Sequence, residues 1–156
     1  NWESYDLVPG PAAIYFEGSY ITETQLNPSI TVDTLDFSLG RDKKVVVTRV
    51  MLKDFTKKRT LGANVEHTYG FEITVRNTKA EAVTLTLRDQ VPVSQNADVV
   101  VKVSDETLKP LSTPAPEYVK ETGMLNWRLA LKPQETVKLQ LKYEVKFPKG
   151  KVIVGL

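Results

Sequence analysis

The side chains best suited to chemistry in this chain are one histidine, His67, and a few carboxylates near turns. The 156 residues include no cysteine, which excludes disulfides, thiolate nucleophiles and zinc sites that need sulfur. A metal ion or a general base at His67 would need partner side chains, and no second histidine exists to supply one. We therefore predict a structural His67, packed or semi-exposed, near the start of a strand.

Three aspartates, Asp33, Asp36 and Asp42, cluster around a turn and could offer oxygen ligands to calcium. Their spacing does not match an EF-hand loop, which needs alternating acidic residues, a glycine and a late glutamate. Turn aspartates more commonly bond their own backbone. We predict no metal site and no cofactor, and we regard Arg41 and Asp42 as a candidate interaction loop at the tip of a turn.

Asp89 shares the parity of three apolar residues that should face a core, Val83, Leu85 and Leu87. An inward carboxylate is costly unless backbone N–H groups or a cation meet it, so we predict that the loop 90–94 supplies amides to a structural Asp89. A glycosidase pair would need a second acid across a cleft, and the sequence nominates none. Serine-nucleophile and phosphate-binding glycine motifs are also missing, so we predict that the chain is not an enzyme.

The net charge of +2 comes from basic residues that are spread along the chain. Nucleic-acid binders usually concentrate such residues on one face, with exposed aromatics between them. Here the lysines near the C-terminal end fall at the wet parity of a strand and the aromatics at the buried parity. This pattern indicates a solvated face and no nucleic-acid partner. No apolar run approaches ~18 residues, so we predict no membrane span.

The elements that must position these residues are organised around 65–91. From Val65 to Val75 every odd position except His67 is apolar or aromatic, and the even positions are polar or glycine. This two-residue period predicts a strand with one buried face. The run 83–87 repeats it after a polar turn, so the pair should form an antiparallel hairpin or its Greek-key equivalent.

Odd positions also carry the apolar residues of the last two long strands, 125–131 and 137–147. A tight turn at 132–135 predicts a second hairpin, which would place these two rows side by side. We expect Trp127 at the centre of the core, with Phe71 and Asp89 as further structural residues.

Nine or ten strands without helical periodicity predict an all-β fold, an antiparallel β-sandwich. Residues 61–150 are predicted to form an immunoglobulin- or fibronectin-like sandwich, with additional N-terminal β-hairpins from 1–60 packing on it in a single domain of residues 1–156. The segment 104–116 holds three prolines and is predicted to be an irregular, mobile connection. The start at Asn1 is typical of a cut inside a longer polypeptide.

Six segments carry a resemblance to a known family: 7–12, 15–18, 39–42, 71–77, 89–94 and 123–133. Together they resemble the C-terminal domain of the mucoidy-inhibitor A (MuiA-like) family of bacterial envelope proteins, in the right order through almost the whole chain. The resemblance implies a domain without an assigned biochemical function, in a precursor with an export signal, an N-terminal domain and a coiled-coil middle. It therefore implies an extracytoplasmic location, in the periplasm or at the cell surface.

Two functions remain open from the sequence. The first is a non-catalytic structural or interaction domain whose partners are other domains of the same precursor or an envelope protein. The second is a carbohydrate-binding module. Because Trp127 and the aromatics of the long strands fall on the core side, a sugar platform would have to use the remaining rings, which are Trp2, Tyr5, Tyr15, Tyr20 and Tyr118.

Overall fold

The computed structural model describes residues 7–16, 18–27, 40–151 and 153, and the chain divides into two compact units, Asn1–Lys43 and Lys44–Leu156. The described elements are strands in antiparallel sheets with one short α-helix, which confirms the all-β prediction. The packing of 1–60 on the sandwich stays a prediction. Trp2, Tyr5, Asp33 and Asp36 lie outside the described residues.

The first unit contains a β-hairpin. Strand β1 (Gly10–Phe16) pairs antiparallel with β2 (Ser19–Leu26), as the short apolar runs on either side of a glycine turn predict. Gly18 in the turn has a φ of 77°, a conformation that glycine adopts without steric cost. The register places Tyr15 opposite Tyr20 after an irregularity that follows Ile14.

The second unit is built from two sheets. Sheet 1 contains β3 (Val45–Met51), β5 (Asn64–Asn77), β10 (Thr136–Pro148) and β7 (Val100–Val103) in that order, and β4 (Lys57–Leu61) also pairs with β5. Sheet 2 contains β6 (Val83–Gln90), β9 (Met124–Leu131) and β8 (Glu117–Val119) in that order. A short 3₁₀ helix, Lys53–Phe55, separates β3 from β4, and helix α1 (Asp105–Leu108) follows β7.

The core consists of the odd-numbered side chains of both sheets, as the two-residue period predicts. Sheet 1 contributes ten buried apolar residues, and sheet 2 with the loop after β6 contributes six. They are Val65, Phe71, Ile73, Val75, Val103, Leu139, Leu141, Tyr143, Val145 and Phe147 from sheet 1, and Leu87, Val91, Leu125, Trp127, Leu129 and Leu131 from the other side. The two sheets therefore share one core, with the Trp127 side chain only 1% exposed.

The hairpin predicted for the last two long strands is wrong, and so is the hairpin alternative for 65–91, because each pair of runs is divided between the sheets. Strand β5 pairs with β10, and β6 pairs with β9. The turns 78–82 and 132–135 are thus corners that carry the chain from one sheet to the other. The apolar rows face each other across the core and do not lie side by side in one sheet. A two-residue period is the same in both arrangements, so the sequence pattern could not separate them.

A buried asparagine holds the two corners together. Asn77, which is 0% exposed, donates from Nδ2 to the carbonyl oxygens of Glu81 (2.8 Å) and Lys132 (3.0 Å). Its Oδ1 accepts from the Lys79 backbone (3.0 Å), and its own N–H donates to the Glu135 carbonyl (2.9 Å). Both corners therefore lie at the same end of the sandwich.

The strand order differs from that of an immunoglobulin domain in one exchange. With β3 and β5–β10 as strands A–G, the sheets are A-B-G-D and C-F-E, whereas the immunoglobulin order is A-B-E-D and C-F-G. The last strand, β10, thus occupies the central place that the fifth strand has in immunoglobulins. The sandwich architecture is as expected from the sequence, but the order of its strands differs from that of an immunoglobulin domain.

Candidate interaction surface

The surface that stands out is one edge of sheet 1, which we call the basic edge: residues 44–61, comprising β3, the 3₁₀ helix and β4. Both strands pair with β5 on one side, and within the described part of the chain no strand pairs with their other side. Edge strands with free N–H and C=O groups can accept a further strand. The basic edge therefore has the backbone chemistry for strand addition.

Apolar side chains are exposed on both faces of this edge. On β3, Val46 and Val50 point to one face and are 43% and 58% exposed, while Val47 and Met51 point to the other and are 47% and 48% exposed. Leu61, on β4, is 43% exposed. Because scattered single apolar residues are normal but a row of them is not, this row indicates a contact surface.

The charge of the edge is strongly one-sided. It carries six basic residues and one acidic residue, Asp54. Arg49 pairs with Asp89, and Arg59 pairs with Glu66 on the neighbouring strand (3.0 Å). The other basic residues of the edge are Lys44, Lys53, Lys57 and Lys58, and the last three make no ion pair with a described residue. A partner carrying carboxylates would complement this charge.

A bulge divides the edge and anchors it to the sheet. Met51 pairs with Phe71 and Lys57 with Thr68, so five residues of the edge, 52–56, face only two of β5. The Phe55 side chain lies on Gly70, where an added Cβ would come within 2.6 Å of the Phe55 Cβ. Gly70 is thus required by a close approach, a role that the period-two pattern does not reveal.

A cation contacts the outer side of the same ring. Lys142 Nζ lies 4.0 Å from the centre of the Phe55 ring and also pairs with Glu106 of α1. Thr107 in α1, which is 1% exposed, accepts from the Lys142 backbone N–H (2.8 Å). The beginning of the predicted irregular segment 104–116 is therefore fixed against β10, while Leu111 further along is fully exposed.

Asp89, whose parity places it on the core side of its strand, is met by both a backbone N–H group and a cation. Its Oδ1 accepts from the backbone N–H of Gln90 (2.8 Å), and its Oδ2 accepts from Arg49 Nε (2.8 Å). The guanidinium carbon of Arg49 lies 3.6 Å above the centre of the Phe71 ring. Arg49 thus connects β3 of sheet 1 to β6 of sheet 2, and it brings Asp89 and Phe71 together. The sequence predicted the amide but not the arginine.

Next to this bridge, aromatic rings stack along β5 and β10. Tyr143 stacks on Tyr69 (5.2 Å between ring centres) and on Phe71 (6.2 Å). Burial raises the pKa of Tyr143 above its ordinary value of 10.0, Tyr69 and Asp89 raise it further, and Arg49 lowers it. These stacked rings form the part of the core that lies next to the Arg49–Asp89 ion pair.

His67 lies in this aromatic row, as its parity predicts. Its Nδ1 is 3.3 Å from the Tyr69 hydroxyl, and its ring packs edge-on against Phe147 at 5.2 Å. Its Nε2 is buried and has no hydrogen-bond partner among the described residues. In the described ranges no three His, Cys, Asp or Glu side chains form a group that could hold a metal ion.

The other predicted residues are placed apart from this surface. Arg41 and Asp42 are exposed and belong to the first unit, and Trp127 is inside the sandwich. Tyr15 and Tyr20 are 65% and 57% exposed, but their rings meet at 71°, so they do not form a coplanar platform for a sugar ring. Within the described residues, no helix is long and apolar enough to cross a membrane.

These observations define a class: an all-β sandwich domain whose exposed basic edge is its most distinctive surface. The chain belongs to the family described as Domain of unknown function (DUF4139), whose model matches residues 6–149. It is similar to Protein F37C4.5 from Caenorhabditis elegans, with 22% identity over 98% of this chain. The chain spans 29% of the length of that relative. No solved structure matches.

Proposed function

We propose that this domain is a non-catalytic interaction domain that binds an extended, acidic segment of a partner polypeptide along the basic edge. The proposal rests on β3, which is apolar and exposed on both faces and is the outermost strand on its side of sheet 1 among the described residues. A strand added there would pair with the free backbone groups of β3 and cover Val46, Val47, Val50 and Met51. This is the β-augmentation mode of peptide recognition.

The charge of the edge selects the kind of segment. Lys53, Lys57 and Lys58 flank the apolar row, and the two arginines of the edge already have carboxylate partners. A segment that alternates carboxylates with β-branched residues would match both features. Electrostatic attraction would mainly speed association and select the partner, while burial of the valines and the backbone ladder would hold it.

The experiment measures binding of a fluorescent peptide that alternates Glu and Val to this domain by anisotropy. N-methylation removes backbone donors, and alternate residues of a strand point their N–H groups to the same side. We expect that methylating one alternate set abolishes binding and that methylating the other set preserves it. Equal loss with both sets would contradict strand addition.

A pair of variants at one exposed position separates charge from fold. Val50→Glu adds a negative charge to the edge and should weaken binding of the acidic peptide by about tenfold. Val50→Lys is the matched control, because it removes the same apolar side chain but keeps the sign of the edge, and it should bind better than the Glu variant. If both variants bind equally, the charge of the edge does not select the partner.

We further propose that the domain works outside the cytoplasm, as part of a mucoidy-inhibitor A-like envelope protein. The support is the resemblance of segments such as 71–77 and 123–133 to that family. A fusion of the full-length precursor to alkaline phosphatase, which is active only after export, tests the location. An active fusion is expected, and an inactive fusion of normal abundance would contradict this proposal without affecting the basic edge.

A further inference from the structure

A recess lies on the side of the sandwich opposite the basic edge, between strands at the edges of the two sheets. We call it the edge groove. It lies between β7 of sheet 1 and β8 of sheet 2, is covered at one end by the loop 92–97, and has a volume of about 370 Å³. This volume is near the lower end of the range for small-ligand pockets, about 300–1,000 Å³. Its main lining residues are Val99, Val100, Val101, Tyr118, Asn96 and Lys120.

The loop that covers the groove is held in place. The Val91 backbone N–H donates to the Gly123 carbonyl (3.0 Å), and an added Cβ at Gly123 would come within 2.2 Å of the Val91 oxygen. Ser94 Oγ and Asn96 Oδ1 accept backbone N–H groups within the loop, at 3.1 and 2.9 Å. The groove is therefore preorganised, which reduces the entropy cost of binding.

Among the described residues that line the groove, one side chain is charged, and its charge, on Lys120, is positive. Lys120 makes no ion pair with any described residue, and the described residues that line the groove include no carboxylate. Asp98, within the same loop, is paired with Lys151 (2.7 Å) and does not line the groove. Burial raises the pKa of Tyr118, and Glu121 raises it further, so the hydroxyl keeps its proton and can donate.

We propose that the edge groove binds a small apolar carboxylate, with the apolar body against Val99 and Val101 and the carboxylate at Lys120 and Tyr118. The carboxylate complements the charge of Lys120, and the apolar body complements these two valines, whose side chains share one face. The same chemistry is found in a fatty acid and in the C-terminus of a polypeptide whose last residue is apolar. The inference is independent of the basic edge, because β3 and β7 are opposite edges of sheet 1.

The experiment titrates this domain with decanoate and with decanol, and follows the backbone amide signals of 92–101 and 117–120 by NMR. Decanoate should shift these signals in a saturable way, and decanol should bind more weakly because it lacks the charge. An N-acetylated dipeptide ending in leucine, with a free or an amidated C-terminus, distinguishes the two sources. Saturation by the free-acid dipeptide at lower concentration than decanoate would assign the groove to a polypeptide terminus.

Variants test whether the groove itself is responsible. Lys120→Gln should weaken decanoate binding by about fivefold, as expected for one exposed charge contact, without changing the affinity for decanol. Lys109→Gln, on a lysine outside this lining, is the matched control and should have no effect. Val99→Glu should abolish decanoate binding and leave acidic-peptide binding at the basic edge intact, whereas Val46→Glu should do the reverse.

The possible outcomes decide the proposal. Saturable shifts confined to the groove and lost in Val99→Glu support it. Shifts that are absent, that do not saturate, or that persist unchanged in both Lys120→Gln and Val99→Glu overturn it. Since Val99 is only partly buried and precedes β7, the folded state of its variant can be verified from its unshifted core amide signals.

Discussion

Two neighbouring strands of sheet 1 differ sharply in burial although both are rich in β-branched and apolar residues. In β5, Val65, Phe71, Ile73 and Val75 are at most 7% exposed, whereas β3 has no buried residue. Strand β5 has partners on both sides and contributes to the shared core, while β3 pairs with a described strand on one side only. Apolar composition therefore predicts that a segment forms a strand, but the position of the strand in the sheet determines how exposed its side chains are.

The largest expected effect on stability is at a buried residue of the shared core, Trp127. Trp127→Ala would leave a large void at a position that is 1% exposed, and we expect a loss of about 3–5 kcal/mol in the free energy of unfolding. Tyr15→Ala, at a ring that is 65% exposed, is the control and should change stability little. Denaturant titration of both variants checks the expectation. A Trp127 variant with the same midpoint as the parent would show that the two sheets do not depend on this contact.

The next effect concerns the corners that assign strands to sheets. Asn77→Ala removes a buried amide that donates to two carbonyl oxygens, of Glu81 and Lys132. Each orphaned buried group costs about 1–3 kcal/mol, so we expect a loss of roughly 2–4 kcal/mol. Asn77→Asp retains the acceptor but replaces the donor by an oxygen that faces the same two carbonyl oxygens, and should lose at least as much. Little loss in Asn77→Ala would contradict the role of this residue as the link between the two corners.

How far the sequence predicts this fold is clear from these residues. The odd parity of Trp127, Leu125 and Leu129 is local information, and it predicted the core face correctly. The pairing of β5 with β10 is not local, since the same alternation suits a hairpin within one sheet and two rows facing each other across a core. Asn77 bonds locally to Lys79 and Glu81, but its link to the second corner is to Lys132, 55 residues away in the sequence, and only the fold reveals that link.

The basic edge was harder to predict for a related reason. The run from Val45 to Val47, followed by Val50, is typical of a strand that is buried on both faces, because it does not alternate. The structure places it at an outer edge instead. The same limit applies to Asp89, whose need for a partner was evident from parity, whereas Arg49 lies forty residues earlier and could be identified only from the fold.

A smaller effect is expected where the edge is anchored to the core strand. Gly70→Ala would bring a Cβ within 2.6 Å of the Phe55 Cβ and should cost about 1–3 kcal/mol as the bulge shifts. Phe55→Gly removes the conflicting atom, so the double variant should lose less stability than the sum of the single variants. Thermodynamic double-mutant analysis provides the measurement. Strict additivity would mean that Phe55 does not lie on Gly70 in solution.

Tyr143, on the strand that flanks β5 on the side away from β3, should make a pH-dependent contribution to stability. Burial raises the pKa of Tyr143, with a further contribution from Tyr69, above the 10.0 of an unfolded tyrosine. Below pH 10 both states hold the proton and the full stability is present, but above it the unfolded state releases the proton first, so stability falls toward the raised pKa. Tyr143→Phe should make this alkaline fall shallower, and Tyr20→Phe, on an exposed ring, is the control. Identical slopes for all three proteins between pH 9 and about 11.5 would be inconsistent with a protonated, buried Tyr143.

The smallest effect on stability is expected at an exposed residue of β3, Val50. Val50→Thr replaces one β-branched side chain by another of the same shape, at a position that is 58% exposed, so strand propensity is kept and little apolar area is lost. We expect a change within about 0.5 kcal/mol. The same substitution at Val75, which is 0% exposed and lies on the adjacent strand, buries a hydroxyl group and should cost about 1–3 kcal/mol. Chemical denaturation of the two variants gives the difference directly. If Val50→Thr is as costly as Val75→Thr, β3 is covered in solution by a part of the protein, and the basic edge is not available to a partner.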